Sequence, residues 1–428
     1  MNFQEAESYL FSLGNEVETM KLGLENITTL LAALGNPQNN YKKVQVAGTN
    51  GKGSVCAFLD SICREADIRT GLYTSPHLVS ITERVKIDGE DIGEDEFARL
   101  ASRVREASEF LVTNEKLERV PTYFEQITAI ALLAFAEYRV ELAILETGLG
   151  GRYDAVTAAK AEIAAITRID LDHQEYLGET IEEIAAEKAA IIHAGCQPVI
   201  GSQHADALDV LLKKCSSFGL IPKTVCEPNV LTVTPEGSIV AEFHTNSGDY
   251  WDACLGLPGR HQVENACVAI MVSELLDSAT DEAIWLGLEK ARHPGRLEYI
   301  GSFLLDGAHN PAGAQALRDY IEEFVKVPIT LIFGAMRDKS VDDIARVLWP
   351  MAERLILTKA LNSRSLEPDD LAAVAAELLP DERIVKTENL EEAIRTARSI
   401  VPPDGLIVVT GSLYLVGEAK RLLHSTAI

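Results

Sequence analysis

Residues 47–54 read A-G-T-N-G-K-G-S, three glycines and a lysine at the junction between a short β-branched run and a helical pattern. That arrangement suits a phosphate group. Glycines let backbone N–H groups approach the oxygens, the N-terminus of the following helix adds its dipole, and Lys52 supplies a mobile point charge. Gly48, Thr49, Asn50, Gly51, Lys52, Gly53 and Ser54 are therefore the expected contacts of a nucleotide phosphate chain, with Lys52 acting on the transferred group. The spacing departs from G-x-x-x-x-G-K-[ST]: Val46 stands where the first glycine belongs, and Gly53 separates the lysine from Ser54. A generic kinase or GTPase loop is thereby disfavoured, and a glycine turn that merely packs a helix closely has no use for Lys52.

With both departures, A-G-T-N-G-K-G-S resembles the loop of the folylpolyglutamate synthases and their Mur-ligase relatives, in which an ATP-binding central domain precedes a Rossmann-like C-terminal domain. Residues 73–85 (Y-T-S-P-H-L-V-S-I-T-E-R-V), Glu146 in L-E-T-G-L-G-G-R-Y-D-A and His173 in I-D-L-D-H-Q-E-Y-L-G carry the resemblance further. It makes Ser75, Glu146 and His173 ligands of Mg²⁺ and places Arg84 in the segment lining the folate site. A hydroxyl, a carboxylate and an imidazole at strand ends can converge on one ion. Taken singly, a histidine after a strand is more often structural, and a strand-end glutamate is often a solvated cap. Lys188 in E-K-A-A-I-I resembles the superfamily lysine that reacts with CO₂ to form a carbamate directed at a second Mg²⁺. The resemblance thus counts Lys188, with Lys52 and His173, as catalytic. Carbamate formation needs a neutral amine, which burial favours; the plain alternative is a surface lysine paired with Glu183 or Glu187.

K-L-G-L-E at 21–25, P-T-Y-F-E at 121–125 and R-Y-D-A at 152–155 match the family's dihydropteroate-binding segments. The resemblance assigns Lys21, Leu22, Gly23, Thr122, Tyr123, Phe124, Glu125, Tyr153, Asp154 and Ala155 to the substrate. Phe124 can stack on a flat pterin and Asp154 can bond its amino edge, although Tyr123 and Phe124 would serve equally as core aromatics. Val156-Thr157 replaces the common Thr-Asn of D-A-T-N. H-Q-V-E-N-A at 261–266, P-G-R-L-E at 294–298 and D-G-A-H-N-P at 306–311 resemble segments at the family's interdomain cleft, which assigns Asn265 to the adenine side, Arg296 to the phosphates, and Asp306 and His309 to ATP. A buried Asp-Gly turn is the alternative for Asp306. The L-glutamate site is expected near 306–311 with Ser412 and Tyr414.

The implied chemistry is ATP-dependent amide formation, with Mg²⁺ expected at two sites. A carboxylate becomes an electrophile only once its oxygen is turned into a leaving group, here by phosphorylation, and the amine of L-glutamate then displaces phosphate. Dihydropteroate and tetrahydrofolate are both expected acceptors. The other readings are a synthase limited to tetrahydrofolate and a noncatalytic nucleotide-binding regulator of the same fold. A ligase acting on a UDP-linked muramyl peptide would need a UDP-binding domain ahead of the loop, and only 46 residues precede Ala47.

These residues must be positioned by strands. Apolar runs at 43–48, 142–146, 163–169 and 198–200 alternate with helical patterns at 52–66, 125–138 and 181–193, predicting an α/β, doubly wound, mainly parallel sheet. Short alternating strands follow at 230–257 around Pro235-Glu236-Gly237. Runs at 303–306, 329–334, 355–358, 384–385 and 406–410 predict a second, smaller Rossmann-like sheet. Proline and glycine at His293-Pro294-Gly295-Arg296 mark the boundary, giving domains 1–296 and 297–428.

The chain has 428 residues, 47 % hydrophobic and 24 % charged, an ordinary globular composition. A net charge of −26 lacks the basic footprint of a nucleic-acid partner; it leaves anionic substrates to be attracted by local cations and Mg²⁺. No stretch approaches the ~20 apolar residues of a membrane helix, and the start shows no export signal. Seven scattered cysteines lack a C-x-x-C pair. A monomeric cytoplasmic protein is expected.

Overall fold

The computed structural model describes residues 1–14, 23–234, 237–276 and 278–425. The chain forms two compact units, one of residues Met1–Asn229, Ala241–Cys254 and Glu264–Ala291, the other of Val230–Val240, Leu255–Val263 and Arg292–Ile428.

The first unit is built on seven strands: β1 (Lys42–Ala47), β2 (Thr70–Tyr73), β3 (Val85–Ile87), β4 (Glu90–Asp91), β5 (Leu142–Glu146), β6 (Ile163–Ile166) and β7 (Gln197–Ile200). Their order is β4-β3-β2-β5-β1-β6-β7. The five strands from β2 to β7 in that order run parallel, while β3 and β4 close one edge antiparallel. Apolar burial on both faces explains the near-continuous hydrophobic runs of β1, β5 and β6. The helix Tyr123–Glu137 is apolar nearly all round because it sits inside this core, with Ile127, Ile130 and Phe135 fully buried.

Register decides which residues meet. Val46 pairs with Glu146, Ala47 with Ile166, and Tyr73 with Leu145. The carboxyl ends of β1, β2, β5 and β6 therefore finish level, and the segments that leave them (48–54, 74–77, 147–155 and 167–173) share one edge of the sheet. That is the edge where parallel α/β sheets bind ligands.

A three-stranded sheet of β8 (Cys226–Val233), β9 (Ile239–Thr245) and β10 (Asp249–Cys254) has β9 at its centre. The second unit carries β11 (Glu298–Ile300), β12 (Phe303–Leu305), β13 (Ile329–Phe333), β14 (Arg354–Leu357), β15 (Ile384–Lys386) and β16 (Leu406–Thr410). Their order is β11-β12-β16-β13-β14-β15, parallel except for β11. The α/β class and the two parallel-stranded sheets are as the sequence implies.

Two local differences have physical causes. The run at 163–169 leaves the sheet after Ile166, and the carbonyl of Arg168 turns to accept the N–H groups of Thr49 and Asn50. The helix expected over 181–193 is α-helical only over Ile181–Lys188 and tightens to 3₁₀ over Ala189–Ile191. Among the described residues no helix is long and apolar enough to cross a membrane.

Candidate active site

The loop 48–51 joins β1 to the helix Lys52–Glu65. Gly48 and Gly51 hold φ of 153° and 87°, and a Cβ at Gly51 would lie 2.1 Å from Asn265 Oδ1. Glycine is required there for both reasons, and Asn265 is brought against the loop within the first unit. Thr49 and Asn50 spend their N–H groups on the Arg168 carbonyl, at 2.8 and 3.3 Å. Gly53 and Ser54 occupy the first turn of the helix, where orphan backbone N–H groups and the dipole favour an anion. Lys52 Nζ donates to the carbonyls of Gly48 and Thr49, each at 3.1 Å.

Lys188 comes to the same place from the last turn of its helix. It is buried and donates to the Gly48 carbonyl at 2.8 Å. Burial, with the charge of Lys52 adding to it, lowers its pKa from 10.5 to about 7. The surface pairing is taken by another residue, since Glu187 binds Arg152 Nε at 2.8 Å.

Glu146 ends β5, buried, and its Oε2 accepts the N–H of Ser75 at 3.1 Å. The peptide bond from Ser75 to Pro76 is cis. His173 sits at the start of the helix Gln174–Leu177 with a left-handed backbone, φ 51°, and its N–H bonds Asp172 Oδ1 at 2.8 Å. Among the described residues no three His, Cys, Asp or Glu side chains group to cage a metal on their own. The donor set nevertheless fits Mg²⁺, which keeps waters and phosphate oxygens and needs only one or two hard protein ligands; Glu146 and Ser75 lie together to supply a carboxylate and a hydroxyl.

The residues assigned to the acceptor fall into several environments. Thr122 and Glu125 form a reciprocal capping box at the head of their helix, so both carry a local structural task. Tyr123 is buried, stacked at 5.9 Å on Phe11, with the Arg84 guanidinium 5.6 Å from its ring. Arg84 is also buried and donates from Nε to His77 Nδ1 at 2.8 Å; burial and this guanidinium push the His77 pKa down to about 3. The Phe124 ring leaves no room for a side chain at Gly148, where a Cβ would lie 2.6 Å away. Asp154, buried, accepts the N–H groups of Leu149 and Val156 at 3.0 and 2.9 Å, and burial raises its pKa to about 6. Tyr153 is exposed, Ala155 is buried, and Gly23 (φ 148°) abuts the Glu25 carboxylate. Lys21 and Leu22 lie outside the described residues.

In the second unit, Asp306 is buried and accepts the N–H groups of Leu297 and Ala308 at 3.0 and 2.9 Å. Burial raises its pKa against the opposing pull of Arg296. His309 Nδ1 pairs with the Gly307 carbonyl at 2.8 Å. Asp306 thus ties 295–297 to 306–308 as a buried Asp-Gly turn, with Arg296 alongside.

One contributor is not apparent from motif spacing. Asp170 accepts Asn50 Nδ2 at 3.1 Å and faces Arg168 and His204 at 3.4 and 3.1 Å. It braces the phosphate loop from the segment that follows β6.

Comparison with known proteins adds to this geometry. Residues 46–273 match the Mur ligase middle domain and 295–413 the Mur ligase, glutamate ligase domain. The chain belongs to the Mur ligases, in the folylpolyglutamate synthase and dihydrofolate synthase family. It is 32 % identical to a dihydrofolate synthase/folylpolyglutamate synthase of Bacillus subtilis, over 98 % of this chain and 99 % of that one. It is 35 % identical to a probable bifunctional folylpolyglutamate synthase/dihydropteroate synthase of Halobacterium salinarum, over 98 % of this chain but only 51 % of that relative. The chain thus spans about half the length of the halobacterial protein. Among solved structures, the folylpolyglutamate synthase of Mycobacterium tuberculosis complexed with ADP superposes with a TM-score of 0.93 at 33 % identity, over 98 % of each chain.

Proposed function

We propose that the chain is an ATP-dependent ligase joining the carboxylate of dihydropteroate, and of tetrahydrofolate, to the amine of L-glutamate. The observation that carries this reading is Lys188, buried and bonded to the Gly48 carbonyl of the loop that holds Lys52. A loop that only gripped nucleotide would need one lysine; a second, with its pKa lowered to about 7, is poised as a neutral amine for CO₂.

In this reading the N–H groups of residues 51–54 and Lys52 take the phosphate chain, with Asn265 against the loop on the nucleotide side. Lys52 stabilises the charge that spreads over the phosphoryl oxygens as the acceptor carboxylate attacks and ADP leaves. The glutamate amine then attacks the acyl phosphate carbonyl, phosphate departs, and the amine proton passes to solvent or a nearby base. Ser75, Glu146 and His173 would hold one Mg²⁺ and carbamylated Lys188 would face a second; when bound, the ions supply positive charge to the phosphates. Phe124 stacks on the pterin, beside the loop that Asp154 braces, and Arg296, Asp306 and His309 keep the assignment to the nucleotide that the family resemblance gives them. We read the protein as a monomer, and as cytoplasmic, the latter reading supported by its seven free thiols.

The test is ADP release from ATP and Mg²⁺. Turnover should need both a pterin carboxylate and L-glutamate. ATP hydrolysis indifferent to either, or nucleotide binding without turnover, would replace this reading with that of a regulator.

A further inference from the structure

The phosphate loop is held by the segments that follow the two neighbouring strands, β6 and β7. Thr167 Oγ1 donates to the Asn50 carbonyl at 2.7 Å, and Thr49 Oγ1 donates to the Asp170 carbonyl at 3.0 Å while accepting the Asp170 N–H at 3.1 Å. Gln203 backs this middle layer in turn. Its amide donates to the Thr167 carbonyl at 2.7 Å and accepts the Ile169 N–H at 3.0 Å.

The middle layer also puts a carboxylate on the loop. Asp170 Oδ2 accepts Asn50 Nδ2 at 3.1 Å, and the Asp170 side chain is only 16 % exposed. A negative charge held there, with little water to screen it, works against a polyphosphate in a chain whose net charge is already −26. The other carboxylate oxygen faces a cation. Asp170 Oδ1 lies 3.4 Å from Arg168 Nε and 3.1 Å from His204 Nε2, and Arg168 Nη2 lies 3.0 Å from that same histidine nitrogen. One ring nitrogen cannot serve both groups at once. With its lone pair outward it accepts from Arg168 and keeps the guanidinium beside Asp170; with a proton there it donates to Asp170 directly. In either state the carboxylate has a donor, and Arg168 supplies the opposite charge.

We propose that Arg168 is a positioning residue for ATP that acts through Asp170: it cancels the charge of the carboxylate that fixes Asn50, so the loop keeps its shape without repelling the nucleotide's phosphates. The proposal rests on the reading of residues 48–54 as the ATP phosphate site. Changing the Arg168 side chain leaves the backbone support in place, because its carbonyl still takes the N–H groups of Thr49 and Asn50. Were the side chain only a surface fastener, its loss would lower stability slightly and leave the ATP requirement alone.

The experiment is steady-state ADP release with a folate acceptor and L-glutamate saturating and ATP varied at fixed free Mg²⁺. Arg168→Gln should raise the ATP KM at least about tenfold, with kcat within about threefold and the KM values of acceptor and glutamate within about twofold. Because the cause is charge, that rise should shrink at least about threefold between ~0.02 and ~0.5 M NaCl, and Arg168→Lys should recover most of it. Combining Arg168→Gln with Asp170→Asn, whose amide oxygen can still accept from Asn50, should return the ATP KM to within about threefold of wild type. His204→Phe, at a position that is already exposed, should raise the ATP KM at least about threefold and be relieved by Asp170→Asn in the same way. It decides the matter should Arg168→Gln lack a cooperative melt. An ATP KM within about twofold of wild type in Arg168→Gln overturns the proposal. So does a rise that neither salt nor Asp170→Asn relieves, which would make Arg168 a fastener of the loop. Wild-type enzyme that binds ATP without releasing ADP overturns the ligase reading instead, and the same salt and Asp170→Asn criteria then apply to the ATP Kd of these variants. Wild-type protein that binds no ATP overturns both.

Discussion

Lys52 and Lys188 converge on one atom, each donating its ammonium or amine to the carbonyl oxygen of Gly48, at 3.1 and 2.8 Å. The two do not share it equally. Lys52 is partly exposed, whereas Lys188 is buried, and burial together with the charge of Lys52 depresses the pKa of Lys188 to about 7.

That depression has a sign in stability. Between pH 7 and 10.5 the unfolded chain binds the Lys188 proton and the folded chain does not, so stability should rise with pH across that window and the term should be constant below it. In CO₂-free buffer, denaturant unfolding of wild type should gain on Lys188→Met by up to about 1.4 kcal/mol per pH unit. Parallel stability profiles would mean that Lys188 keeps its proton when folded. Bicarbonate should raise wild-type turnover, and formate or acetate should partly restore Lys188→Ala.

Lys52→Ala should remove ligation and spare the fold. Its ammonium caps two loop carbonyls that solvent can also satisfy, so the melt should move little. ADP release should fall at least about a hundredfold, an added barrier of ~2.7 kcal/mol. A variant retaining a tenth of the wild-type rate would remove Lys52 from the phosphoryl-transfer machinery.

Gly51→Ala tests the loop's shape rather than its charge. Alanine at φ 87° is strained, and its Cβ would lie 2.1 Å from Asn265 Oδ1, so loop or side chain must move. Nucleotide titration should show affinity lowered at least about tenfold, with ~1–2 kcal/mol lost in stability. Affinity equal to wild type would show that the contact with Asn265 does not shape the nucleotide site.

His173→Ala should shift the Mg²⁺ concentration for half-maximal turnover upward, since it removes one of the donors assigned to the ion. Superimposable Mg²⁺ titrations would make His173 a structural residue of the turn it begins.

The parts of this molecule legible in its sequence are those written locally. β1, the loop and the helix from Lys52 were apparent because a β-branched run, glycines and a lysine follow one another in the chain. The hairpin of β3 and β4 was not, because V-K-I and E-D are too short and polar to show a period. Asp170 is equally hidden, because its task is a contact with Asn50, 120 residues away in the chain. Thr122 and Glu125 show the converse, for T-x-x-E is a capping-box signature readable in advance.

One site should perform both glutamate additions. Dihydropteroate and tetrahydrofolate each present a pterin at one end and a carboxylate at the other, so a single phosphate loop can serve both if the pocket admits two lengths. The pterin end should be common, set by Phe124 against Gly148 and by the loop that Asp154 holds through Leu149 and Val156. Thr157 stands where the family commonly has asparagine, but its hydroxyl is committed to the fold, donating to the Gly151 carbonyl at 2.7 Å. That commitment leaves the pterin to be read by neighbours common to both acceptors. Purified enzyme with ATP, Mg²⁺ and L-glutamate should therefore release ADP with either acceptor, and each should competitively inhibit use of the other. Turnover of tetrahydrofolate with none of dihydropteroate, at concentrations well above the tetrahydrofolate KM, would reduce the activity to polyglutamylation and place the discrimination in the acceptor pocket rather than in the phosphate loop.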